Sequence, residues 1–337
     1  MIETLPQSEP VLLPQRPSGR PARSVLGYSL LTALMIVTPM PVFVPAALIH
    51  CAIRHGRRVG WAVLTVTVLL VIAYGASTQA KTPDLQYMTW ASLAAVVLTA
   101  AIPAMAAVPM VARAESFGRV LMFLMAGALV GLALTEVASQ ALLSFSPFAA
   151  QVAQTKEMWN EVARMYRELK APAEMIRVAE RAGPVNAYLL PGQILASLSV
   201  IYILSLLMYG RLRAWQSVEA ARPYLFRNFA LPEWLLFAFV FGGLTPLAGG
   251  LLQKIAANTL VVVVFLYILQ GLAVFRAMLL SMGVGPVGSL LAWMLIGFMF
   301  FTGMSQLLLG VVGLFDPFFD FRHFKKRKDD SHESHSD

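Results

Sequence analysis

One carboxylate stands well inside an apolar run. It is Glu136, in the stretch 119–144. A charge in hydrocarbon is costly unless it is paired, hydrated or protonated, so Glu136 is a binding or proton-exchange candidate by default. Its run reads Thr135, Glu136, Ser139, Gln140, which puts Glu136 and Gln140 one helical turn apart on one face. Such a pair can hold a cationic or hydrogen-bonding group. Successive membrane spans alternate in direction, so depth can be compared between them. Gln193 in the stretch 186–210 and Gln306 in 287–314 fall at the depth of Glu136, roughly 10–12 Å from one surface at ~1.5 Å per residue. Asn258 lies in the same half, with Asn186, Ser197 and Thr302. Glu136, Gln140, Gln193, Gln306 and Asn258 are therefore the candidate substrate-binding residues. Polar side chains at one level beside a broken helix can line a pocket. They can equally be interhelical hydrogen bonds that hold a bundle together. The sequence leaves both open.

Other chemistry is sparse. There is no Gly-rich phosphate loop, no paired-histidine zinc motif and no Gly-x-Ser-x-Gly elbow. His50 and His55 flank Cys51 on a short apolar stretch, a weak metal set. A single cysteine excludes an internal disulfide. Gln270, alone in an apolar helix, reads as glue, and Gly127-x-x-x-Gly131 as close helix packing. The expectation is a protein that is not an enzyme and carries no cofactor or metal.

The elements that would position these residues follow from composition. Apolar residues make up 58% of the 337-residue chain and charged residues only 13%, about half the share of a soluble domain. Residues 1–24, 147–183 and 316–337 hold 5, 11 and 11 of the charges, which leaves long uncharged runs elsewhere. A soluble fold needs charge along every helix. The chain reads instead as an all-α polytopic transmembrane helical bundle of eight or nine spans, with one amphipathic extramembrane helical insert.

Five prolines and three arginines make residues 1–24 a disordered basic arm. Pro39, Pro41 and Pro45 split the first apolar stretch into helices over 25–38 and 42–54. Further spans are expected at 60–77, 88–112, 119–144, 186–210, 232–252, 256–280 and 287–314. Trp61, Trp90 and Trp234 fall near span ends as interfacial anchors. These divide the chain into a first helix group (25–145), the insert (146–185), a second helix group (186–315) and a charged tail (316–337).

Within the insert, Ser146-Pro147 caps a helix on which Trp159, Val162, Tyr166 and Leu169 recur at helical spacing. A second short helix is expected to end at Gly183-Pro184. With nine spans and the N-terminus inside, 13 basic residues of the arm and short loops are cytoplasmic and 7 lie outside. The net charge of +8 comes from basic residues at span ends, so nucleic acid is excluded as a partner. Lys325, Lys326, Arg327 and Lys328 suit lipid headgroups or a solvated tail.

Three C-terminal strings carry a resemblance. They are Phe226-Arg227-Asn228-Phe229 with Leu231-Pro232-Glu233-Trp234; Asn258-Thr259-Leu260 with Leu266 to Ala273; and Gly313-Leu314-Phe315-Asp316 with Asp320-Phe321-Arg322. Over about 226–322 these resemble the YybS-like family of bacterial multi-pass membrane proteins, which implies a cytoplasmic-membrane location and no established activity. That family is distantly similar to substrate-binding subunits of energy-coupling-factor transporters. The proline-broken first helices and Gly56 and Gly60 carry that second likeness, which implies an outward-facing solute pocket and a separate ATPase module as partner. From the residues themselves, Pro232 and Glu233 start a span, and Asp316 and Asp320 beside Arg322 end one, with an Asp–Arg pair.

Two functions follow. One is a small-solute-binding or transport component with a polar pocket in one half of the bilayer. The other is a non-catalytic scaffold of a membrane or envelope assembly, resting on the insert and the charged tails.

Overall fold

The structure is a computed structural model. It describes residues 21–38, 40–77, 83–216, 224–244, 247, 249–300, 303–319 and 321–323. The basic arm up to residue 20, Thr302, Asp320 and the run Lys325 to Lys328 lie outside the described residues. Among those described the chain is helical throughout, without strands, and divides into two units.

The first unit comprises residues 1–147 and 201–223. Its helices are α1 (Pro21–Val37), α2 (Val44–His55), α3 (Arg57–Ser77), α4 (Pro83–Val96), α5 (Ile102–Ala112) and α6 (Phe117–Leu143). A short 3-10 turn, Pro41–Phe43, separates α1 from α2 where the prolines predict a break. Leu48, Ile49, Met105, Leu121 and Leu124 are fully buried at its centre. His50 and Cys51 belong to this core rather than to a ligand set, and the His50 ring lies 6.2 Å from that of Tyr28. Among the described residues no group of His, Cys, Asp and Glu could hold a metal.

Helices α4 and α5 are joined through a π-helical turn, Val97–Ala101. Pro103 explains it. A proline lacks the N–H that would bond the carbonyl four residues back, and its ring crowds that carbonyl. The carbonyl is that of Thr99, and it accepts instead from the hydroxyl of the fully buried Tyr202. Gly131 of α6 packs on the same turn: a Cβ there would collide with the Leu98 carbonyl oxygen. The Gly127–Gly131 pair is thus a packing device, as its spacing predicts.

The second unit comprises residues 148–200 and 224–337. Here α7 (Pro147–Glu168) and the first part of α8 (Ala173–Gln216) form the amphipathic insert. It is followed by α9 (Leu235–Gly243), α10 (Gly250–Ser281), α11 (Pro286–Phe300) and α12 (Met304–Phe319). Gly271 of α10 and Gly313 of α12 bring those helices into backbone contact, since a Cβ on either would collide with a carbonyl oxygen of the other helix, Leu309 or Tyr267.

Three expectations need correction. Five described helices or helix segments are long and apolar enough to cross a membrane, or six if the bent pair α11–α12 counts as one span, fewer than eight or nine. The prolines leave α1 with 17 residues and α2 with 12. Among the described residues of the expected span 232–252 stands the nine-residue α9, which ends at Gly243, and α10 begins anew at Gly250. The topology count that assumed nine crossings loses that basis.

The third correction concerns Gly183-Pro184, which does not end a helix. α8 runs 44 residues straight through it and through Pro191. Gly183 serves another purpose. Its missing Cβ, which would sit 3.3 Å from that of Trp159, lets α7 pack closely on α8. The 44 residues of α8 are about twice the ~20 that a bilayer core requires, so one helix serves both as candidate span and as arm of the insert.

Candidate functional site

The sequence-derived candidates fall in both units. In the first, Glu136 is half-buried on α6 and its Oε1 accepts from the Ser146 hydroxyl, at the point where α6 turns into α7. Gln140, one turn on, is exposed. In the second unit, Gln193 Nε2 donates to Asn186 Oδ1 on the same helix (2.8 Å), and Asn186 Nδ2 donates to the Ala182 carbonyl (2.9 Å). Gln306 is half-buried near the start of α12.

Asn258 has a definite mechanical task. Its Oδ1 accepts from the Gly192 N–H (2.7 Å), while its Nδ2 donates to the Tyr188 carbonyl (3.2 Å) and the Lys254 carbonyl (2.8 Å). Gly192 N–H and the Tyr188 carbonyl are the groups that one ideal helical turn would join to each other. The amide therefore braces α8 just after Pro191 and ties it to α10. Gly192 must be glycine for this approach, since its Cβ would lie 2.7 Å from the Asn258 carbonyl oxygen. The structure brings Gln193 and Asn258 to one stretch of α8, and each is engaged with local backbone or a neighbouring amide.

A different cluster is deeper and more connected. Gln270 is fully buried, and its Oε1 accepts from the Leu231 N–H (2.9 Å). Its Nε2 donates to Asp316 Oδ2 (3.3 Å). Arg322 reaches the same oxygen through Nε (3.0 Å) and NH2 (2.9 Å). The guanidinium also donates to the carbonyls of Arg227 (2.8 Å) and Phe229 (2.6 Å). The expected Asp–Arg pair is thus present, with side chains only 7% and 13% exposed. The second Asp316 oxygen, Oδ1, is buried without a hydrogen-bond partner among the described residues.

Local sequence explains the arrangement. Residues 224–234 hold only a 3-10 turn, Phe226–Asn228, before Pro232 opens the way into α9. Such a segment pairs only part of its own backbone, and buried backbone groups must be satisfied. Gln270 and Arg322 supply the missing partners. A buried ion pair of this kind holds only when its remaining N–H groups are also satisfied, which the two carbonyls accomplish.

Beside this network lies a cavity of about 540 Å³, within the ~300–1,000 Å³ range of small-molecule sites. Its walls are apolar, with Leu236, Phe237, Leu314 and Phe318 among them, and its polar groups are Glu233, Tyr267 and Gln270. The Tyr267 hydroxyl makes no hydrogen bond among the described residues, and Gln270 keeps one N–H and one lone pair uncommitted. An apolar chamber with a few convergent polar groups is the arrangement a ligand site requires.

Sequence reasoning underrated this place. Gln270 reads as glue from its helix alone, and glue it is. Its further role as a cavity wall depends on which residues α9 and α12 bring against it. The available signal was that Gln270, Glu233 and Asp316 all fall within the three C-terminal strings.

Comparison with known proteins agrees with the membrane architecture. No curated protein and no solved structure matches the chain. One family matches over residues 25–317, which takes in Gln270 and Asp316 and stops short of Arg322. The chain belongs to that family, described as predicted membrane protein (DUF2232).

Proposed function

We propose that the chain is a small-solute-binding or transport component of a bacterial cytoplasmic membrane, with its N-terminus inside and its binding site in the second unit. The observation that carries this reading is the 540 Å³ cavity walled by apolar side chains and floored by Gln270. Of the polar residues expected to bind solute, Asn258 and Gln193 brace the proline-containing α8, while Glu136 and Gln140 belong to the first unit. The distant likeness to energy-coupling-factor subunits would make any ATPase module a separate partner.

Mass spectrometry of the full chain, gently purified from its native membrane, tests this. We expect a stoichiometric small molecule that is lost when Leu314→Trp fills the cavity. A preparation without bound solute, or one equally loaded in the variant, would overturn the reading.

A second reading, scaffold of a membrane or envelope assembly, is favoured by the insert. Met158 and Met165 of α7, with Leu169 just beyond its end, form one exposed stripe, and Met175, Val178 and Val185 another on α8. Charged substitutions at Met165 and Val178 should then release envelope proteins that co-purify with the chain while leaving the bundle folded. Unchanged co-purification would count against it.

A further inference from the structure

The reading above leaves the ligand's chemistry unnamed, and the cavity's polar groups restrict it. We infer that the cavity takes an amphiphile with an ammonium head group; this rests on the cavity being the binding site. Among the described residues, Glu233 is the only charged one lining it and has no ion-pair partner. The nearby cation, Arg322, is committed to Asp316 and to two backbone carbonyls. An anionic ligand would therefore meet an unpaired carboxylate and no free guanidinium from that network.

The aromatic side chains point the same way. Trp234, Phe237 and Phe318 line the cavity and are 52%, 75% and 64% exposed. Aromatic faces attract cations through the ring quadrupole, and an ammonium held between a carboxylate and such faces is favoured over a neutral group of the same shape. The Tyr267 hydroxyl, which makes no hydrogen bond among the described residues, can accept a further N–H donor. Leu236 and Leu314 offer the apolar surface that a hydrocarbon tail requires. Glu233 and Trp234 lie in the exposed turn just before the apolar α9, which leaves the carboxylate open to a head group while the tail meets apolar side chains.

Two sources could supply this chemistry, a membrane lipid with an ammonium head or a water-soluble amphipathic amine. The test uses the full chain in nanodiscs of phosphatidylglycerol, which carries no ammonium, titrated with octylammonium, octanol and octanoate. Octylammonium should bind at least about tenfold more tightly than either. Glu233→Gln, an isosteric change at an exposed site, should weaken octylammonium about tenfold and leave octanol unchanged; a tenfold change corresponds to ~1.4 kcal/mol. Tyr267→Phe gives a second readout, a smaller loss for octylammonium.

Native-membrane mass spectrometry then separates the sources. An ethanolamine-headed phospholipid retained by the wild type and lost from Glu233→Gln supports the lipid, and a soluble amine behaving the same way supports the solute. Either establishes the class. Equal binding of the three probes, with Glu233→Gln indifferent, overturns the ammonium inference and leaves the cavity as a general apolar site. Absence of any probe binding or bound molecule removes the binding site itself, and with it the proposed function.

Discussion

The two units differ in how side chains serve backbone that a helix leaves unpaired. In the first, side-chain hydroxyls are consumed by backbone that cannot satisfy itself. Tyr202 caps the Thr99 carbonyl left by Pro103, and Ser205 donates to the Val42 carbonyl (2.6 Å) beside the proline break. In the second, Gln270 and Arg322 also repair backbone, but polar capacity remains: Asp316 Oδ1, the Tyr267 hydroxyl and half of the Gln270 amide. Polarity that is fully matched inside a protein is architecture. Polarity left over beside a cavity is where a ligand can gain affinity, because an unsatisfied buried group is costly and a partner removes that cost.

The sharpest way to break this contrast is to unbalance the second network. Arg322→Met strips Asp316 of its counterion and leaves a buried carboxylate, which should destabilise the protein by about 3–5 kcal/mol. Thermal unfolding in detergent would register this as a large drop in midpoint. Adding Asp316→Leu should recover much of the loss, since removing both charges of a buried pair is far milder than removing one. A single variant as stable as the wild type would mean that the network is hydrated and not buried.

Next in size is the α10–α12 contact that shapes the cavity. Gly313→Ala sets a methyl group against the Tyr267 carbonyl oxygen and within 2.8 Å of the Gly271 nitrogen. The helices must part, at a cost typical of overpacking, ~1–3 kcal/mol. Because Tyr267 lines the cavity, solute retention should fall together with the unfolding midpoint. Retention unchanged at lowered stability would separate the cavity from the helix contact.

In the first unit the matching experiment is Tyr202→Phe. It removes one oxygen and leaves the Thr99 carbonyl without the donor that replaces Pro103. The expected destabilisation is ~1–3 kcal/mol with no change in solute retention per folded molecule. A loss of retention here would erase the distinction between the units.

The sequence was legible where a single helix determines the answer. The runs at 60–77, 88–112, 119–144 and 256–280 appear as α3, α4–α5, α6 and α10 with ends shifted by a few residues. Uninterrupted apolarity of bilayer length needs no partner to be recognised. The insert was legible too, because Trp159, Val162 and Tyr166 repeat on one face of α7. Legibility failed where meaning lies between helices. Gly183-Pro184 looks like a stop signal, and only the Trp159 side chain shows why a glycine sits inside a helix. Comparison of depths assumed that every apolar run crosses the membrane, and the shortness of α2 and α9 undermines that assumption. Asp316 with Arg322 could be paired from proximity in sequence. The third member, Gln270, lies 46 residues from Asp316 and joins them only through packing.

The smallest expected effect bears most directly on where the site is. Glu136→Gln keeps an oxygen at Oε1, so the bond from the Ser146 hydroxyl can persist, and the α6–α7 turn should stay as it is. Gln140→Ala alters an exposed position and should shift stability by no more than ~0.5 kcal/mol. If the binding site is the second-unit cavity, neither change should alter the amount of small molecule retained, whereas Glu233→Gln should lower it. The reverse order, with Glu136→Gln emptying the protein and Glu233→Gln leaving it loaded, would return the site to the membrane-depth carboxylate that composition alone singled out. It would also make the Gln270 network a brace like those of the first unit. The three variants measured side by side decide whether leftover polarity or intramembrane charge is the better guide to function in this family.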